Sequence, residues 1–325
     1  MRAFLLPTLL SGLCWPGLAV AAESANRPTI SLVTENDSYI SISGDRHYTN
    51  GIYFSWTSEA EPKTESFARH LMLAGSGAWR SGFFLGQAIF TPENLSAFTP
   101  PANDRPYTGW LFGGARLTRE NGTVLDKVEI TLGVIGPAAL GSDVQKFWHA
   151  AFVPSAAHPN GWHAQLRDEP GLVLSSQRIW RMPLARKGLE AELLPEINLS
   201  AGNVYDYAGA GAMLRLGQNL MADWGPPRIA PAQQGSDFQT VDRFAWYIFA
   251  GGEARAMARN LFLDGNSFHT GPSVAKKSLV GDINAGAALL FPHARMIAGY
   301  THRTAEFRGQ KGDDEIGSLT LSLIP

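Results

Sequence analysis

The sequence predicts an all-β fold: a transmembrane antiparallel up-and-down β-barrel of about twelve strands, with a short helix in a long extracellular-side loop. Three observations predict it. Apolar and polar residues alternate with period two along most of the chain. The alternating segments are about ten residues long, the length a tilted membrane strand needs. Aromatic residues stand near many segment ends (Trp56, Trp79, Tyr107, Trp110, Trp180, Trp246, Tyr247), where a girdle at the membrane interface would place them.

The segments fall near residues 28–36, 48–58, 78–90, 107–120, 124–136, 170–182, 189–203, 205–217, 243–264, 278–290, 293–307 and 314–324. Within them Ile52, Phe54 and Trp56 share one face against Tyr53, Ser55 and Thr57. In "KVEITLGVI", Val128, Ile130, Leu132 and Val134 oppose Glu129, Thr131 and Gly133. The last segment sets Leu319, Leu321 and Leu323 on one face. Asn121-Gly122 is a strong hairpin signal. Long connections at 137–169 and 218–242 alternate with short ones, which predicts short turns at one end and long loops at the other. A soluble two-sheet sandwich or lipocalin-like barrel shares the alternation. The opposite face, rich in Gly, Ser, Thr, Asn and Arg, favours a polar lumen. A propeller would need a fixed repeat, and the chain has none.

One segment departs from period two. "GSDVQKFWHAAF", 141–152, reads as a helix capped by Ser142 or Asp143 and stopped by Pro154. Residues three and four apart share a helix face, so Gln145, Trp148, His149 and Phe152 are neighbours.

Residues 1–22 read as an export signal peptide: Arg2, an apolar run from Phe4 to Val20, and small residues before Glu23. The domain expected to fold is 23–325. Cys14, inside that leader, is the only cysteine, which excludes a disulfide framework and thiolate chemistry in the remainder. A net charge of −2 excludes the basic footprint of a nucleic-acid binder. A closed barrel leaves no strand edge to pair, so a monomer is expected.

The chemistry concentrates in "TENDSYISISGDRHYTNGIYFSW", 34–56. Asn36 and Asp37 offer hard oxygen atoms of the kind calcium or magnesium accepts. Asn36 can also donate a hydrogen bond to an oxyanion. Thr49 brings a hydroxyl to the start of the next strand. Asp45 and Arg46 read as a pair closing the loop, with His47 part of the same turn. Among eight histidines, His149 has the best company for a general base, because imidazole can accept a proton from water attacking an ester. A histidine bonded to local backbone would look the same from spacing alone. His163 in "NGWHAQL" is held in reserve. The chain has no Gly-x-Ser-x-Gly elbow, no His-Glu-x-x-His run and no phosphate-cradling glycine loop. Water, rather than a serine, is therefore the expected nucleophile.

"TENDSY", "DRHYTNGI", "GQAIFTP", "GVIGPAALGSDVQKFWH" and "NGWHAQLRDEPG" occur in this order, followed by "FAGGEAR" and "TAEFRGQKGDDE". On these motifs the chain resembles the outer-membrane lipid A 3′-O-deacylases from about residue 28 onward. The resemblance implies a twelve-stranded barrel of the bacterial outer membrane that removes the 3′-linked acyloxyacyl group from lipid A of lipopolysaccharide, with Ca2+ required. It implies that Asn36 and Asp37 match the family's Asn-Asp pair, Asp37 as a calcium ligand with Asn36 beside it. Thr49 matches the family's threonine, and His149 its catalytic histidine, with Gln145 four residues before. The chain departs from a characterised branch in two places: Ser155 stands where that branch has an essential Glu, and Asn94, Leu95 and Ser96 stand where it has a Lys-Arg pair. The rival expectations are a non-catalytic channel or adhesin barrel, and a phospholipase-type barrel acting on glycerophospholipid.

Overall fold

The computed structural model describes residues 27–40, 46–60, 75–152, 158–229 and 241–325. The expected leader, 1–22, and Asp45, Pro154 and Ser155 lie outside the described residues. Thirteen strands form one antiparallel sheet. They are β1 (Thr29–Asn36), β2 (His47–Thr57), β3 (Ala78–Thr91), β4 (Thr108–Glu120), β5 (Val124–Ile135), β6 (Glu169–Trp180), β7 (Met182–Ala185), β8 (Glu190–Gly202), β9 (Tyr205–Gly217), β10 (Ala245–Asn260), β11 (Leu279–Phe291), β12 (Ala294–Arg303) and β13 (Asp314–Leu323). β1 pairs with both β2 and β13, and β6 pairs with β8, which closes the sheet into a barrel. The four-residue β7 continues β6 along the start of β8, so twelve strands make the wall.

Alternation decides what faces where. Phe83 and Leu85 are 60% and 59% exposed, whereas Phe84 between them is buried. Leu32, Phe54, Ile130, Leu132, Leu172, Leu199, Ile283 and Leu319 follow the same outward phase. A soluble protein would bury that row; this one turns it outward, toward hydrocarbon.

The inward phase is charged and paired. Asp282 accepts from Arg255 at 3.0 Å and from Arg303 at 2.9 Å, and Arg116 donates to Glu129 at 3.4 Å. Such pairs are tolerated inside because each charge finds an opposite charge and further hydrogen bonds.

Both ends of the lumen are filled. Helix α2 (Leu261–Asp264) follows β10 and turns Leu261, Phe262 and Leu263 inward. Phe262 stacks on Phe90 at 4.1 Å and lies against Trp110 and Tyr205. From the opposite end, residues 220–229 fold up into the barrel. There Asp223 meets Arg215, Arg295 and the Tyr247 hydroxyl, Arg228 pairs with Glu196, and Ile229 joins the inner apolar cluster.

Two expectations are corrected. The connections at 137–169 and 218–242 lie at opposite ends, because three wall strands, β6, β8 and β9, lie between them and an odd number carries the chain from one end to the other; the second sits with the Asn121-Gly122 turn. Part of it is consumed as lumen filling. The aromatic girdle is also only partial. Trp56, Trp180 and Trp246 are half-buried near the terminal end, but Trp110 and Tyr247 face the lumen, Tyr107 is buried with Ile89, Leu95 and Trp162, and Trp79 packs against Leu117 and Val128. Their positions near strand ends reflect packing rather than an interface.

The expected helix is present as α1 (Gly141–Phe152), preceded by a 3-10 turn at Pro137–Ala139. It begins one residue before the expected caps, so Asp143 lies inside its first turn, where a negative charge favours the helix dipole.

Candidate functional site

Asn36 belongs to the outward phase of β1, with Ile30 and Leu32. In β2 the outward phase is Ile52 and Phe54, and Asn50 continues it. Register then assembles one transverse row on the outer wall: Gly317 of β13 faces Asn36, Asn36 faces Asn50, Asn50 faces Ile89 of β3, and Ile89 faces Gly109 of β4.

The two ends of the row are glycines because chain crosses over them. A Cβ at Gly317 would meet the Tyr39 Cβ at 2.6 Å and Ile40 at 3.2 Å, so the 3-10 turn Asp37–Tyr39 folds outward over β13. At the other end a Cβ on Gly109 would stand 3.1 Å from the backbone of Gly141, the first residue of α1. Helix α1 is therefore seated on the outside of β3 and β4. Ile89, Leu95, Tyr107 and Trp162 are buried together beneath it, with Val144 of the helix packed against them. The outward Gln87 donates from Nε2 to the Ala139 carbonyl at 2.6 Å and pins the turn before the helix. Gly109→Val is expected to lower the ester hydrolysis that the resemblance implies by about 10²-fold, the cost of displacing a reacting group by about 1 Å. The unfolding midpoint in detergent should stay unchanged; an active variant would show that α1 need not seat here.

Between these flanks lies the polar floor. The Asn36 Oδ1 accepts from the Ser38 N–H at 2.7 Å and from the Ser38 hydroxyl. Both lone pairs are thereby engaged, and the amide NH2 is the half of Asn36 left to donate. Asp37 is buried, and its Oδ2 accepts from the Arg46 backbone N–H at 2.5 Å. β2 bulges between Tyr48 and Asn50 against β3, making Thr49 the extra residue. A bulge re-aims side chains, and here the Thr49 hydroxyl turns to the outward Thr91, Oγ1 to Oγ1 2.7 Å.

On α1, Gly141, Gln145 and His149 recur every fourth residue along the buried face. Gln145 Oε1 accepts from Trp162 Nε1 at 2.8 Å, which locks its amide. His149 lies one turn further on and is buried. The structure thus places Asn36, Asp37 and Thr49 on the wall, and Gln145 and His149 on the helix docked beside them. His163 stacks on Phe98 at 4.2 Å, with its ring exposed.

Other sequence expectations shift. His47 is not a turn residue: its Nδ1 lies 2.6 Å from Asp314, and Nε2 is 3.7 Å from Asp104. Arg46 reaches the carbonyls of Lys311 at 3.3 Å and Asp313 at 3.1 Å, across the first loop. The Asn94–Ser96 stretch is scaffolding, with Leu95 buried under α1 and its carbonyl accepting from Asn160 N–H at 2.9 Å. Sequence reasoning missed Asn50, Ser38, Gln87 and Trp162. Asn50 could have been found by its phase with Ile52 and Phe54.

A closed twelve-stranded barrel, apolar outside, with a polar cluster on its outer wall, defines an integral outer-membrane protein whose candidate site adjoins lipid. Residues 5–324 match the model of outer membrane protein LpxR, and the chain belongs to that family, the lipid A 3′-O-deacylases. Among solved structures, LpxR from Salmonella typhimurium is similar with a TM-score of 0.76 and 18% identity, over 91% of this chain and 100% of that one. The β domain of the Bordetella autotransporter BrkA gives a TM-score of 0.46 and 12% identity, over 93% and 100%. No curated protein matches the chain in sequence.

Proposed function

We propose that the protein is a calcium-dependent carboxylic ester hydrolase that removes the 3′-linked acyloxyacyl group from lipid A. The observation that carries this reading is the outward orientation of the site. Asn36, Thr49 and their flanking helix open toward the phase that holds membrane lipid, at the end of the barrel carrying the 136–168 loop. The reading further takes that end as the cell-surface side, where lipopolysaccharide lies.

In this mechanism His149 takes a proton from water as the water oxygen adds to the ester carbonyl carbon. Asn36 donates its amide N–H to the oxyanion that forms. Thr49 and Gln145 position the water and the imidazole. The intermediate collapses by breaking the bond to the sugar oxygen, which takes the proton back from His149. The products are a free acyloxyacyl acid and a sugar 3′-hydroxyl.

Asp37 fits the calcium requirement as a buried carboxylate beside the floor. Among the described residues no three His, Cys, Asp or Glu side chains cluster tightly enough to hold a metal. Further ligands would then be main-chain carbonyls, water and substrate, all of which calcium accepts. Bound there, calcium supplies positive charge for the ester carbonyl or a lipid phosphate oxygen. Asn36 suits the donor role better than a ligand role, because Ser38 already occupies its oxygen.

Mass spectrometry of lipid A and phospholipids from cells overproducing the protein tests this. Lipid A is expected to lose the mass of the 3′-acyloxyacyl group while phospholipids stay intact. Chelation of divalent cations should stop the loss in isolated membranes, and added calcium should restore it. Unchanged lipid A, or free acid arising from phospholipid, would overturn the reading.

A channel is disfavoured by the lumen itself, filled by Phe262 at one end and residues 220–229 at the other.

A further inference from the structure

We infer that Asn50 is a further substrate-contacting residue of this site, donating a second amide N–H to the ester oxyanion beside Asn36. The inference rests on the deacylase reading and adds a residue to it.

Asn-Gly is ordinarily a turn signal, yet Asn50-Gly51 lies inside the eleven-residue strand β2. The glycine is explained by packing. It lies in the inward phase, where a Cβ would come within 2.3 Å of the Tyr48 hydroxyl and 2.8 Å of the Tyr53 hydroxyl. The asparagine has no such explanation. Asn is a poor strand former, and a lipid-facing row favours Leu, Ile or Phe, as at Ile52 and Phe54.

Asn50 is only 9% exposed, and its side-chain amide makes no hydrogen bond with any described residue. The amide tip is not sealed off: neither Oδ1 nor Nδ2 is a buried atom lacking a partner, so a ligand lying against the outer wall can reach the N–H and accept from it. The register settles where that ligand would sit. Asn36 and Asn50 are directly opposed across β1 and β2, and opposed residues hold their Cβ atoms about 4.5–5.5 Å apart. Two amides at that spacing can converge on one oxygen. The neighbouring bulge brings the Thr49 hydroxyl to the same side. Ile89 and the Gly109–Gly141 contact close the row beyond it. An oxygen gaining negative charge here would meet donors held by a sheet, which need no rearrangement as the charge develops.

The experiment uses the full-length protein in detergent micelles containing lipid A, with calcium present. It measures kcat and KM for the wild type, Asn50→Leu and Asn50→Asp, with detergent unfolding midpoints alongside. Asn50→Leu is expected to lower kcat by about 10²–10³-fold, with KM and the unfolding midpoint little changed. Asn50→Asp keeps the shape, replaces the donor with an acceptor, and should be at least as slow. It decides the matter if the leucine variant does not assemble. Asn50→Leu within threefold of the wild type, or Asn50→Asp clearly faster than Asn50→Leu, would overturn the donor role while leaving the deacylase reading intact. A wild type that releases no acyl group would overturn both.

Discussion

Replacing His149 with alanine is expected to cut lipid A deacylation by about 10²–10⁴-fold, the contribution of a positioned general base. The barrel should remain folded. Helix α1 is held by Gly141 against Gly109, by Val144 against the Ile89–Leu95–Tyr107–Trp162 cluster, and by the Gln145–Trp162 hydrogen bond. None of these contacts uses the imidazole, so its loss need not unseat the helix. Release of the 3′-acyl group in membranes carrying the substrate measures the effect, and the unfolding midpoint serves as the control. Full activity in His149→Ala would remove the proposed base. A Gln145→Leu variant should fall less far, because it disturbs position rather than proton transfer.

The second large effect concerns assembly. Asp223 is fully enclosed at the terminal end of the lumen, accepting from Arg215, Arg295 and the Tyr247 hydroxyl. Burial alone would raise its carboxyl pKa, but the guanidiniums of Arg215 and Arg295 outweigh it and hold the group well below the usual carboxylate range. A depressed pKa contributes stability above the unfolded value near 3.8 and loses it as pH falls through the folded one. Asp223→Ala leaves two buried arginines without their shared partner, a change that costs about 3–5 kcal/mol. Urea unfolding in detergent at neutral pH should show that loss. The same change should be smaller when both proteins are compared at a pH low enough to protonate the carboxylate. A variant as stable as the wild type at neutral pH would mean that residues 220–229 are passengers in the lumen.

The wall of the barrel was legible because lipid outside and charge inside impose the same alternation on every strand. Each of the twelve segments read from period two overlaps a wall strand, although the one at 243–264 gives way to helix α2 from Leu261, and α1 matches the predicted helix. The candidate site was half legible. Asn36, Asp37, Thr49, Gln145 and His149 stand out by residue type and spacing, but the outward direction of Asn36 emerged only from its place in β1. What alternation could not carry was anything depending on distant partners. His47 meets Asp314 across 267 positions, and Arg105 meets Glu306 across 201. No local pattern announces either pair. The bulge at Thr49 was hidden for a different reason. One extra residue in a strand leaves the composition unchanged and only breaks phase, so "YTNG" read as a strand start rather than as two side chains turned to one face. Residues 218–242 read only as a long connection, and no local pattern there announces that 220–229 fill a charged lumen.

The outward placement of the site has a kinetic consequence. A substrate delivered through the lumen or from water would be governed by its bulk concentration. A lipid that reaches Asn36 and Asn50 along the outer wall arrives by lateral diffusion within one leaflet. Turnover should then follow the mole fraction of lipid A in the membrane or micelle and fall as inert lipid or detergent is added, even when the total concentration of lipid A is held constant.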